Sequence, residues 1–116
     1  MAIDDPLTIA QEEGNAPGTL IFRLSGPLTL RNLFDFQSQL RNAEPPPLTI
    51  LDLSAVPYMD SAGMGLVINH YVHCGRKGVR LIVAGVNPRV MELFKLTKVD
   101  SVIPLAATVE EAEARG

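Results

Sequence analysis

Alternating apolar and polar positions mark the first elements of the chain. Over residues 7–12, Leu7 and Ile9 alternate with Thr8 and Ala10, which predicts a short strand. Gly14 to Gly18 holds two Gly, an Asn and a Pro and is a turn. Thr19 to Ser25 is a second strand, with Leu20, Phe22 and Leu24 on one face and Ile21, Arg23 and Ser25 on the other. Strands joined this closely predict an antiparallel hairpin. After Gly26-Pro27 the period changes. Leu30, Leu33, Phe34, Gln37 and Leu40 recur at helical spacing, so a helix is expected over roughly 30–42, with Thr29 as its N-cap and Pro45-Pro46-Pro47 as its stop. Leu48 to Leu53 is the next strand, and Ser54 to Asp60 a loop.

Ser61 to about Gly75 predicts a long helix, with Gly63, Leu66, Val67, His70, Tyr71 and Cys74 on one face and Met64, Ile68 and Val72 widening the apolar arc. Val79 to Ala84 is β-branched and almost continuously apolar, as a strand covered on both faces should be. Gly85 turns the chain, and Asn87-Pro88 reads as an N-cap followed by Pro at the first helical position. Val90, Leu93 and Phe94 form that helix's buried face. Val102-Ile103 is a minimal strand, and Thr108-x-x-Glu111 is a capping box opening a short acidic helix. The order β-β-α-β-α-β-α-β-α predicts an α/β fold. Its mixed, mostly parallel sheet has about five strands, with about four helices and an N-terminal β-hairpin. No linker divides residues 1–116, so one domain is expected, with residues 1–6 and 114–116 flexible at its ends.

Composition narrows the function. The chain has 116 residues, 47% hydrophobic and 20% charged, a size that supports one core without staples. Thirteen acidic against ten basic side chains give a net charge of −3, which argues against nucleic acid as the partner. Six aromatics and no Trp leave little for base-stacking or carbohydrate clefts. The one cysteine, Cys74, cannot pair internally, which points to a reducing compartment. No stretch is long and apolar enough for membrane insertion, and Met1 to Asp5 lacks the basic start of a signal peptide. A cytoplasmic protein, monomeric when free, is expected.

Candidate chemistry concentrates in Asp52-Leu-Ser-Ala-Val-Pro-Tyr-Met-Asp-Ser-Ala-Gly-Met-Gly65. A helix start carries free amides and the positive end of the dipole, so it favours an acidic cap such as Asp60 and would stabilise a phosphate on Ser61. Gly63 and Gly65 each weaken a helix by about 1 kcal/mol relative to Ala and so require a reason, usually close backbone approach. The plain alternative is that Asp60 and Ser61 merely cap a tightly packed helix.

Met59-Asp-Ser-Ala-Gly-Met-Gly65, preceded by Leu51-Asp-Leu-Ser54, resembles the signature of bacterial anti-sigma factor antagonists, the STAS domain family. The likeness extends over nearly the whole chain, from the hairpin ending in Ser25-Gly26 to the Asn87–Phe94 helix. It implies a STAS-like fold and a non-enzymatic, partner-switching role. The unphosphorylated protein would bind an anti-sigma factor that is itself a serine kinase, and so free the sigma factor. Phosphorylation of Ser61 would break the complex, and a phosphatase would restore it. The ATP belongs to the partner kinase, so no cofactor is expected. The expected partner-binding surface comprises Tyr58, Met59, Asp60, Ser61, Ala62, Gly63 and Met64, with Thr29, and is joined by Leu28 and Asn32 if the first helix lies beside the central one. Tyr58, Met59 and Met64 either form an exposed patch there or pack against the neighbouring helix. One position departs from the family's frequent G-x-L-D run: Gly26-Pro-Leu-Thr29 carries Thr29 in the acidic place. Single STAS-like domains also serve as non-enzymatic subunits of lipid or anion transport systems, which is the alternative function.

Other readings are weaker. A serine hydrolase would need a histidine at Ser61, but His70 and His73 lie roughly 13 and 18 Å further along the same helix. His70, His73 and Cys74 lack a third well-placed ligand, so packing rather than metal binding is expected of them. Gly63-x-Gly65 lies inside a helix with no Lys after it and is not a phosphate loop. The proline run is a rigid loop, and Glu110 to Arg115 a solvated helix face.

Overall fold

The computed structural model describes residues 7–42 and 47–115. The strands are β1 (Thr8–Glu13), β2 (Thr19–Ser25), β3 (Leu48–Ala55), β4 (Arg80–Ala84) and β5 (Leu105–Ala106). The helices are α1 (Leu33–Asn42), α2 (Ser61–Arg76), α3 (Pro88–Leu96) and α4 (Val109–Arg115), with a 3-10 turn at Val99–Ser101. The expected element order is therefore present. Pro45 and Pro46, the first six residues and Gly116 lie outside the described residues.

One sheet runs in the order β1-β2-β3-β4-β5. β1 pairs antiparallel with β2, Glu13 opposite Leu20, closing the expected hairpin. The remaining pairs are parallel. Strand order follows chain order, and crossovers between parallel strands share one hand, so α1, α2 and α3 fall on the same face. That face buries Phe22, Leu24, Leu51, Leu53, Leu81 and Val83 beneath Leu33, Phe36 and Leu40 of α1, Met64 and Val67 of α2, and Val90 and Phe94 of α3. The opposite face buries Ile21, Leu48, Ile50 and Ile82 under Val109 and Ala112 of α4. The nearly continuous apolar run of β4 follows from cover on both sides.

Two expectations are corrected. The first helix begins at Leu33, not near residue 30, and Thr29 does not cap it. Asn32 Oδ1 accepts from the Thr29 backbone N–H at 2.8 Å and from its hydroxyl at 3.4 Å, while Asn32 Nδ2 donates to the Pro27 carbonyl. These local bonds hold the segment as a turn, the usual competition of Asn and Thr side chains with helix. The buried stripe of α1 is Leu33, Phe36 and Leu40, whereas Leu30 and Phe34 are 60% and 62% exposed. The last strand is Leu105–Ala106 rather than Val102-Ile103. The amides of Val102 and Ile103 both donate to the Val99 carbonyl, at 3.0 and 2.9 Å, so they are spent in the 3-10 turn before the chain reaches β4.

The remaining caps are as the residue pattern predicts. Asn87 Oδ1 accepts from the Val90 N–H at 2.8 Å with Pro88 opening α3. Thr108 Oγ1 accepts from the Glu111 N–H at 3.1 Å, and Glu111 reaches back to the Ala107 N–H.

Candidate functional site

Three loops meet at the carboxyl ends of the parallel strands, the edge where open α/β sheets place their sites. The first follows β2, where Gly26 at φ 113° turns the chain. The second joins β3 to α2, and the third joins β4 to α3. Leu28 forms an isolated parallel bridge with Met59. Its N–H donates to the Tyr58 carbonyl at 3.1 Å, and its carbonyl accepts from the Asp60 N–H at 3.3 Å. Asn87 Nδ2 donates to the carbonyls of Val56 and Pro57 at 3.0 and 3.2 Å. The segment entering α2 is thus held from both sides.

Asp60 is the N-cap of α2, its Oδ1 accepting from the Gly63 N–H at 2.9 Å. Its Oδ2 accepts from the Leu30 N–H at 3.1 Å, so one carboxylate joins the helix start to the β2–α1 loop. Ser61 is the first residue of α2 and is exposed. Ala62, Tyr58, Asp60, Thr29 and Asn32 are half-buried around it. The Arg89 guanidinium lies 5.2 Å from the centre of the Tyr58 ring, a cation–π contact that fixes the ring against α3.

The two glycines separate. An added Cβ at Gly63 would lie 2.3 Å from the Leu28 carbonyl oxygen, so close backbone approach explains this residue. At Gly65 the same atom would meet nothing within 4 Å. Gly65 stands one turn beyond Ser61 on the same side of the helix and leaves that surface bare.

Burial divides the expected partner-binding set. Leu28, Met59 and Met64 are 0%, 8% and 3% exposed and belong to the main core, so their side chains support the site from beneath. Of the two alternatives for Met59 and Met64, packing is the one observed. Two exposed apolar residues outside the expected set, Leu30 and Phe34, stand on the adjoining loop and first turn of α1. The stripe Leu33, Phe36, Leu40 was the signal in the sequence that would have turned Phe34 outward.

Asp52 lies apart, on the α4 face. It accepts from Arg23 Nη1 at 2.7 Å and from the Ser54 N–H at 3.0 Å, and Arg23 also pairs with Glu12 at 2.8 Å. His70 is turned away from any role at Ser61: its Nε2 lies 3.4 Å from Cys74 Sγ. Burial, with the neighbouring His73 adding to it, lowers the His70 pKa to about 4. Burial likewise raises the Cys74 thiol above its ordinary value. Among the described residues no group of three His, Cys, Asp or Glu is placed to hold a metal ion, and no helix is long and apolar enough to cross a membrane.

Against this geometry stand the comparisons with known proteins. The model of a family described as the STAS domain matches residues 10–112. A Paenibacillus polymyxa protein described as an anti-sigma F factor antagonist is 32% identical over 94 residues, spanning 76% of this chain and 78% of that protein. The crystal structure of an anti-sigma factor antagonist from Mycobacterium paratuberculosis superposes with a TM-score of 0.87 at 24% identity, over 98% of this chain and 96% of that one. A sulfate transporter family protein from Wolinella succinogenes superposes with a TM-score of 0.72 at 22% identity, over 84% of each chain. Both structural likenesses concern the fold.

Proposed function

The chain belongs to the STAS domain family, and from that premise we propose that it is an anti-sigma factor antagonist switched by phosphorylation of Ser61. In this reading the unphosphorylated protein binds an anti-sigma factor that is a serine kinase. The complex releases the sigma factor, in the cytoplasm. The chain itself performs no catalysis. Its kinase partner supplies ATP, and a phosphatase resets the switch. In the transfer step the Ser61 Oγ–phosphorus bond forms as the bond from the γ-phosphorus to the ADP oxygen breaks. The hydroxyl proton passes to a base of the kinase.

The observation that carries this reading is an exposed serine at the first position of a rigidly held helix. A phosphoserine adds about −1.5 to −2 charges. The α2 terminus favours that charge through its dipole and free amides, so the domain can accept it without unfolding. A partner face packed over Ser61 cannot accept it without losing the phosphate's hydration. The bare helix surface at Gly65 lets a partner backbone approach closely. Relatedness to the Paenibacillus polymyxa protein at 32% identity supports the same role. The transporter likeness, at 22% identity, carries the fold alone and does not favour the transport reading.

The test is a pair of variants. Incubation with the kinase and ATP should add one phosphate, located on Ser61 by mass spectrometry. Ser61→Asp should lose binding to the anti-sigma factor in calorimetry, and Ser61→Ala should bind like the wild type but resist release by ATP. Equal affinities for the two variants would overturn the proposal.

A further inference from the structure

The Asp60 carboxylate makes one bond that α2 does not need. Oδ1 on the Gly63 N–H satisfies the helix start. Oδ2 on the Leu30 N–H instead fastens the loop after β2 to the residue that precedes Ser61. The neighbouring side chains make that loop a surface rather than a filler. Leu30 and Phe34 expose 60% and 62% of their area to solvent. We propose that Asp60 is a positioning clasp. It holds the Leu30 loop in place beside unphosphorylated Ser61, and a phosphate on Ser61 opens it.

A phosphate on Ser61 competes with the Asp60 carboxylate for donors. The helix start and the loop offer a small set of amides, and the Asp60 carboxylate takes two of them, from Gly63 and Leu30. A phosphate on the next residue brings three strong acceptor oxygens and repels the carboxylate. The Gly63 amide is fixed by the helix, so whichever acceptor takes it keeps the cap satisfied. The Leu30 amide is in a loop, and its bond is the one that gives way. Phosphorylation then changes two features of the surface together, its charge at residue 61 and the placement of the apolar Leu30 beside it. The anti-sigma factor would read both. The use of the clasp as a switch rests on Ser61 being the modified residue; the clasp itself rests on the Asp60–Leu30 bond alone.

Leu30 amide exchange with solvent, measured by NMR on the 116-residue chain, tests the clasp without any partner. Asp60→Asn keeps an oxygen for the Gly63 N–H and puts an NH2 group against the Leu30 N–H, so it opens the loop half alone. Leu30 exchange should rise about tenfold, as expected when a hydrogen bond to a charged group is lost, while Gly63 exchange changes little. Asp60→Ser, which retains a capping oxygen but has no second acceptor, should do the same and guards against a folding defect peculiar to Asn. Phosphoserine incorporated at position 61 during translation, with no kinase involved, should also speed Leu30 exchange. An unchanged Leu30 amide in Asp60→Asn and Asp60→Ser would show that the bond holds nothing. An unchanged amide in the phosphoserine protein would show that the switch does not reach the loop. If the amide responds but no kinase modifies Ser61, the proposed function fails and the clasp stands. If the kinase modifies Ser61 and the amide does not respond, the clasp fails and the function stands.

Discussion

Gly63→Ala and Gly65→Ala are the same chemical change two residues apart on α2, and the structure predicts opposite signs. Alanine is the better helix former by about 1 kcal/mol, a gain available at both positions. At residue 65 nothing lies within 4 Å of the added methyl, so the gain is realised and stability should rise by about 0.5–1 kcal/mol. At residue 63 the methyl would lie 2.3 Å from the Leu28 carbonyl oxygen and 3.0 Å from Leu28 Cγ, where ordinary contact begins near 3.4 Å. The carbonyl must retreat by about 1 Å to restore ordinary contact, and a packed interior resists such insertion with about 1–3 kcal/mol. That retreat also strains the Asp60 N–H bond to the same carbonyl, which contributes about 1 kcal/mol. After the propensity gain is set against these, Gly63→Ala should destabilise by about 1–3 kcal/mol. Urea unfolding at fixed pH measures both variants. The expected result is a lower midpoint for Gly63→Ala, a higher one for Gly65→Ala, and slopes like the wild type. The Leu28 and Asp60 amide resonances should shift only in Gly63→Ala. A Gly63→Ala protein at least as stable as the wild type, with those resonances unmoved, would refute the close approach of Leu28 to α2.

The other expectations are simpler. Asn87→Ala removes the cap of α3 together with two bonds to the loop entering α2, so it should cost about 2 kcal/mol in urea unfolding, the upper end for a cap; a loss below about 0.5 kcal/mol would contradict the tie. His70 has a folded pKa of about 4, below its ordinary 6.5. The unfolded chain therefore takes up a proton first as pH falls, and stability should drop between about 6.5 and about 4 and level off below. His70→Gln should flatten that part of the pH profile, and an unaltered profile would assign the loss to other groups. Cys74 is buried with its thiol raised, so a thiol reagent at neutral pH should label the folded protein slowly and the urea-unfolded protein fast; equal rates would place the thiol at the surface.

What the residues determine alone is whatever depends on near neighbours in the chain. Alternation in Thr19–Ser25 specifies β2, and the apolar run at β4 specifies a strand covered twice. Asn87-Pro88 and Thr108-x-x-Glu111 close their helix starts with bonds three residues long, so their positions can be read directly. The Asp60-Ser61 helix start is of the same kind, and with it the place of the exposed serine. Tertiary structure decided everything that depends on who approaches from elsewhere. Packing against the sheet put Phe36 inside and Phe34 outside, though both fit a helical stripe. Gly63 and Gly65 are alike in the sequence, and only the Leu28 carbonyl lying over one of them tells them apart. Met59 and Met64 could have been surface or core until three helices packed on one face of the sheet. The second bond of Asp60 spans thirty residues to Leu30, and no local pattern encodes it. Short-range hydrogen bonds and periodicity are written in the order of residues, whereas burial and close approach are properties of the packed whole.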